Sequence, residues 1–204
     1  MVVDFLNPIN FVFYIPLFFL SLVTMTIIIE KVHDLLKNPL LNQTSYQAIY
    51  SSLRKRDLQP VGETIKKGEH LEIQYLREFI QLRKSFHPNL INQLDILARE
   101  MILNREVRLD LLTSISSVAT MLGLLGTVTG MIWSFQAMSA AGRPDPAVLS
   151  GGIAQALITT ALGLLIAIPS LSAANIFKLR VKKLSTRLEF IYEELLAIQS
   201  ARQG

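Results

Sequence analysis

The sequence predicts an all-α integral membrane protein with three transmembrane helices, two of them extended into a cytoplasmic helical bundle. Three observations carry this fold class. Residues Leu111–Gly142 and Ala147–Phe177 hold no formal charge, and only Arg143-Pro144-Asp145-Pro146 separates them. An earlier run, Phe11–Ile29, is also uncharged. The charged remainder has helical spacing of its apolar residues and weak strand signals. A bilayer core takes about 20 apolar residues in a helix, so the two long runs cross with turns to spare and the first is just long enough.

Residues 1–10 are expected as a periplasmic tail, with Asn7-Pro8 placed to start a helix. Residues 11–29 follow as transmembrane helix 1. A cleaved signal peptide fits poorly, because no basic segment precedes the run and Glu30-Lys31 follows it without a small-residue cleavage site. Its aromatic residues Phe11, Phe13, Tyr14, Phe18 and Phe19 are expected to face lipid, and Pro16 is tolerable in an early turn.

Residues 30–110 form the expected cytoplasmic helical region. Asn38-Pro39, Gln59-Pro60, Gly62, Gly68 and His87-Pro88 cut it into several short helices. Beyond Pro88 nothing breaks a helix before Gly123, so the second transmembrane helix, 111–142, is expected to continue inward as one rod. Leu90, Leu94, Leu97 and Met101 give that extension an apolar stripe, flanked by the i,i+4 pair Asp95–Arg99. A periplasmic turn at 143–146 follows, since each proline removes a donor and forces its predecessor out of the α region. Transmembrane helix 3 covers 147–177. The C-terminal helix, 178–204, carries its own stripe of Val181, Leu184, Leu188, Ile191, Leu195 and Ile198, so two amphipathic extensions meet in a bundle.

Charge sets the orientation. Residues 1–29 contain no Lys or Arg and the turn contains one; the others lie in 31–110 or 178–204. The positive-inside bias then puts the N-terminus and the turn outward and the C-terminus in the cytoplasm. The net charge of +4 follows from this topology and needs no nucleic-acid partner. Lys178, Arg180, Lys182 and Lys183 are expected to anchor the third helix at the anionic lipid surface, and Trp133 to sit at the opposite interface.

Catalysis finds no support in the residues. There is no cysteine, and His33, His70 and His87 have no ligand spacing. No phosphate-binding loop, nucleophile elbow, zinc-protease or dinucleotide fingerprint is present. No catalytic residue, metal site or cofactor is therefore expected. The membrane helices are instead patterned with small and hydroxyl-bearing residues. Thr113, Thr120, Thr127 and Ser134 recur every seven residues, with Gly123, Gly126 and Gly130 on or beside their face. In the third helix Gly152, Ala156, Thr160, Gly163, Ala167, Ser170 and Ala174 form one seam, opposite Leu157, Leu164, Ile168 and Leu171. Such a helix packs its small face on protein and its bulky face on lipid. Taken singly, a membrane hydroxyl usually bonds the carbonyl one turn back and does nothing more.

Two segments, Gly-Leu-Leu-Gly-Thr-Val-Thr-Gly at 123–130 and the run from Gly151 to Pro169, together with the three-span layout, resemble the ExbB/TolQ/MotA family of ion-driven stator proteins, in its ExbB/TolQ branch. The resemblance implies a homopentamer in the bacterial inner membrane, its second and third helices lining a pore. That pore would hold a dimer of an ExbD/TolR-like single-span partner, with a TonB/TolA-like protein beyond it. A partner aspartate takes up and releases the ion, a proton or sodium, and the flow powers an envelope process. By motif position Thr127 and Thr160 match the family's pathway threonines and Pro169 its third-helix proline. Thr159, Gln155, Thr120 and Ser134 complete the expected ion-pathway set, while Gly123, Gly126, Gly130, Gly152, Gly163 and Pro169 serve helix packing. Hydroxyls suit a carboxylate that cycles its charge, because they donate to the anion and accept from the acid. The glycines would let the partner helix approach closely.

Two positions depart from the family pattern: Gln155 stands where glutamate is common and Thr129 where tryptophan is common. Neither long uncharged run contains a titratable side chain, so the cycling carboxylate must come from the partner. The competing reading is a non-conducting membrane scaffold that assembles partners through its cytoplasmic stripes.

Overall fold

The computed structural model describes residues 8–37, 40–55, 70–84, 89–140 and 146–200. Among these there are five helices and no strand: α1 (Pro8–Lys37), α2 (Gln43–Arg54), α3 (Leu71–Lys84), α4 (Leu90–Ala140) and α5 (Pro146–Ser200). Helices α1, α4 and α5 are long and apolar enough to cross a membrane. The fold is all-α, as the sequence predicts. Of the expected turn at 143–146, Pro146 opens α5, and its other residues lie outside the described residues, as do the breaks at Asn38-Pro39, Gln59-Pro60, Gly62, Gly68 and His87-Pro88 and the tail before Pro8.

The chain divides into two compact units, one of Met1–Glu30 and Arg108–Ile176, the other of Lys31–Val107 and Phe177–Gly204. In the first, the buried seam of α4 runs through Leu112, Ser116, Ala119, Gly123 and Gly126, and that of α5 through Ala156, Thr159, Gly163, Ala167, Ser170 and Ala174. Leu157, Leu164, Ile168 and Leu171 are exposed, on the bulky face expected for lipid. Leu17 of α1 packs with Ala119 and Ala167. Glu30 at the far end of the α1 span pairs with Arg108, so α1 runs antiparallel to α4. Phe18 and Phe19 are exposed as expected of lipid-facing rings, whereas Phe13 is buried at 9%.

The second unit is a helical bundle with a continuous apolar core. Tyr46, Ile49 and Leu53 of α2, Ile73, Leu76 and Phe79 of α3, Leu90 and Leu94 of α4, and Leu184, Leu188, Ile191 and Leu195 of α5 share it. Both sequence stripes thus become core, with Leu97, Met101 and Ile198 packed at its edge. Asp95 and Arg99 form the anticipated i,i+4 ion pair at 2.9 Å. Tyr75 is fully buried and donates its hydroxyl to the Leu94 carbonyl at 3.3 Å. Burial pushes its phenol above the ordinary range, so it stays neutral.

A charge sits inside this core. Arg187 is 4% exposed and Glu72 fully buried. The guanidinium donates to Glu72 Oε1 and to the Leu41 carbonyl, both at 2.7 Å, and to Gln43 Oε1 at 3.0 Å. It lies 4.6 Å from the centre of the Tyr46 ring. The second Glu72 oxygen accepts the Leu41 N–H at 3.3 Å. One side chain of α5 therefore holds α3, the start of α2 and the strand of chain before it. Spacing carried the signal: Arg187 falls on the buried line between Leu184 and Ile191, and Glu72 on that of Tyr75, Leu76 and Phe79. A search for catalytic or surface charge passes over both.

Candidate functional site

The site rests on the contact between α4 and α5 in the apolar unit. Backbones approach closely where neither helix carries a side chain. A Cβ on Gly163 would lie 2.6 Å from the Ala119 carbonyl oxygen and 3.0 Å from Gly123 Cα. One on Gly123 would lie 3.1 Å from Thr160 Cα, and one on Gly130 2.8 Å from Ala156 Cβ. Gly126 faces the Thr159 side chain and Gly152 faces Ser134. The glycine faces of α4 are therefore filled by α5 of the same chain. The expectation that Gly123, Gly126 and Gly130 leave room for a partner helix is corrected: the closest approach is intramolecular. The small residues fit that contact because dispersion and backbone proximity, not hydrophobic exclusion, hold helices together in lipid.

Three hydroxyls bridge the pair. Thr160 donates to the Gly123 carbonyl at 2.8 Å, Ser116 to Ala167 at 2.9 Å and Ser170 to Leu112 at 3.0 Å. Ser116 escaped the sequence reading, although its spacing from Ala119 and Gly123 places it on the seam.

The remaining predicted hydroxyls bond within their own helices. Thr127 donates to Leu124 at 2.6 Å, Thr120 to Ser116 at 2.9 Å, Ser134 to Gly130 at 2.8 Å and Thr159 to Gln155 at 3.3 Å. Each hydroxyl proton is thus committed to a carbonyl, and what each oxygen still offers is a lone pair. Donation to an anion, expected from the sequence, would first require breaking one of these bonds.

The heptad of hydroxyls does not coincide with the packed seam. Ser134 is buried and Thr113 and Thr127 half-buried, but Thr120 is exposed. Glycine wins the contact line because only a missing side chain permits it, leaving the threonines on the flank. The structure further divides the predicted set. Thr159, Gln155 and Ser134 line an open cleft of about 510 Å³, together with Phe13, Thr129 and Trp133. Thr127, Thr160 and Thr120 are not among its lining residues. Pro169 is exposed within an unbroken α5. In the other unit, Arg180, Lys182 and Lys183 are exposed and Lys178 half-buried, beside Leu179 at 70% exposure.

Fold and site together define a class: a membrane protein of three apolar spans, built on a helix pair in glycine contact and bridged by hydroxyls at several depths. The chain belongs to the MotA/TolQ/ExbB proton channel family, whose sequence model matches residues 67–190, more than half of it. It is 38% identical over 99 residues to the Tol-Pal system protein TolQ of Haemophilus influenzae, covering 46% of this chain and 43% of that one. It is 43% identical over 82 residues to the biopolymer transport protein exbB1 of Vibrio cholerae, covering 40% and 36%. A putative biopolymer transport protein, ExbB-like 3 of Synechocystis, is 29% identical over 178 residues, covering 80% and 79%. The chain thus spans less than half the length of the first two relatives. The family is one of membrane channel proteins and not an enzyme family. With its three apolar helices, membership makes this an inner-membrane protein.

Proposed function

We propose that the chain is a ring subunit of an ion channel that uses the ion-motive force to drive a TonB-ExbB-ExbD- or Tol-Pal-like energy transducer. Five copies surround a dimer of a single-span ExbD/TolR-like partner, which supplies the cycling carboxylate and passes work to a TonB/TolA-like protein. The N-terminus faces the periplasm and the C-terminus the cytoplasm, with Lys178, Arg180, Lys182 and Lys183 at the inner lipid surface. Thr127 and Thr160 flank the path, and Thr159, Gln155, Thr120 and Ser134 supply further oxygens along it. The chain itself performs no catalysis and holds no cofactor.

One observation carries this reading: the hydroxyls of α4 and α5 have their protons on carbonyls and their lone pairs left over. Oxygens that can only accept suit a cation, or the protonated form of a partner acid. A proton is the default ion, and sodium is the alternative that neutral oxygens also serve.

The test pairs Thr127→Val and Thr160→Val with flux measurements in vesicles containing this chain and its partner, under a proton or a sodium gradient. Valine keeps the branched shape, and losing the bond to Gly123 costs roughly 0.6 kcal/mol, too little to prevent assembly. The expected outcome is a pentamer of unchanged native mass and a flux lowered about tenfold or more, equivalent to roughly 1.4 kcal/mol of barrier. Normal flux in both variants would remove these threonines from the path. The scaffold reading has the same bonds in its favour, since packing alone produces them. It predicts that alanine replaces every one of these hydroxyls with full activity.

A further inference from the structure

The helical bundle carries apolar side chains on its outside as well as in its core. Ile96, Leu103 and Val107 of α4 and Leu179 and Phe190 of α5 are 46–70% exposed. They are not scattered. Ile96, Glu100, Leu103 and Val107 follow one another at steps of four, three and four residues, and Leu179, Lys183, Thr186 and Phe190 repeat those steps. At about 100° per residue each set stays within about 60° on its helix, and each line is about 16 Å long. The outer face of a water-exposed helix is ordinarily polar, so a line with apolar residues at both ends marks a contact.

Each line also carries one charge, and the two have opposite sign. Glu100 and Lys183 are both exposed, and among the described residues neither forms an ion pair within the chain. Arg99, next to Glu100, is already held by Asp95. Docking α4 on the α4 of another copy would bring Glu100 to Glu100, and docking α5 on α5 would bring Lys183 to Lys183. Like charges brought together cost free energy, so α4 on α5 is the favoured combination. Around a ring axis along the membrane normal, α4 of one copy and α5 of the next run antiparallel, because the chain enters the membrane along one and returns along the other. In that direction the lines match end to end. Val107 meets Leu179, Ile96 meets Phe190, and Lys183 lays its stem on Leu103 and reaches Glu100 one turn on.

We propose that the α4 line of one copy docks on the α5 line of the next, with a Glu100–Lys183 ion pair between the apolar contacts Val107–Leu179 and Ile96–Phe190. The contact is heterologous, one surface against a different one, and such contacts generate rings when the rotation closes. It presupposes the ring reading above and names the surfaces through which the bundles close that ring. Lys183 is the innermost of the four cations placed at the lipid surface, and its place on the Leu179–Phe190 line turns it to the neighbouring copy.

The chain has no cysteine, so an introduced pair reports on its own contact. Val107→Cys/Leu179→Cys, oxidised in membrane vesicles, should give a covalent ladder that ends at the copy number read from the native mass of the solubilised particle. Either cysteine alone should leave single chains on a denaturing gel. Glu100→Lys and Lys183→Glu should each raise the concentration at which the solubilised ring falls apart about tenfold or more, and the double charge swap should restore it to within about threefold. All four positions are exposed, and circular dichroism checks that the variants fold. A ring of unchanged mass without the ladder, or dimers from either single cysteine, would overturn the contact and leave the ring standing. So would a double swap as weak as the single ones, or a cross-link to a single-span partner in place of the ladder. A monomeric native mass would overturn the ring reading and this contact together, so the mass tells the two failures apart.

Discussion

Arg187→Met should destabilise the helical bundle by about 3–5 kcal/mol, the largest single-site effect expected in this chain. Among the described residues the guanidinium is the one hydrogen-bond partner of Glu72 Oε1, and Glu72 has no exposed surface. Among the described residues, removing it leaves the core carboxylate with the long Leu41 N–H bond at 3.3 Å alone. The Leu41 carbonyl and Gln43 lose their donor at the same time. Unlike an exposed pair such as Asp95–Arg99, whose charges water solvates when the pair is lost, this charge cannot turn to water. Thermal unfolding of the purified protein measures the loss, and hydrogen exchange should show residues 40–55 opening first. The double variant Glu72→Met/Arg187→Met should recover most of the stability, because two apolar side chains in that space cost less than one unpaired charge. If the double variant is as unstable as the single one, the ion pair is not the reason.

Gly163→Ala is expected to separate α4 from α5 and to cost about 1–3 kcal/mol, despite adding one methyl. Its Cβ would meet the Ala119 carbonyl oxygen at 2.6 Å and Gly123 Cα at 3.0 Å, and both are backbone atoms that cannot rotate away. The only relief is movement of a whole helix, which also stretches the bond from Thr160 to the Gly123 carbonyl. Gly151→Ala is the matched comparison, because nothing lies within 4 Å of a Cβ there. Alanine's higher helix propensity, worth up to about 1 kcal/mol, should make that variant neutral or slightly more stable. Thermal stability in detergent ranks the two. Equal stability would mean that the helix pair is more loosely packed than these distances require.

The sequence by itself determined the spans and most of the faces. Long uncharged runs must cross or be buried, because a helix in lipid satisfies its own backbone and tolerates little else. The stripes through Leu94 and Leu188 became core for an equally local reason, the 3.6-residue repeat. The family motif at 123–130 and 151–169 was legible too, as residues in a row.

Only the tertiary structure decided which face meets which neighbour. Thr127 and Thr160 were legible as hydroxyls, but not the destination of their protons: Thr127 turns to its own helix, and Thr160 to a carbonyl 37 positions away. Glycines 123, 126 and 130 read equally well as room for a partner or as contact within the chain, and the register of α5 against α4 made them contact. Phe13 was expected to face lipid like its neighbours, and it faces a cleft shaped by α4 and α5 instead. Arg187 and Glu72 stand 115 positions apart, beyond any periodicity. Local pattern fixes what a helix must bury. Partners distant in sequence become neighbours only when the helices pack, and packing decides what each buried group finds there.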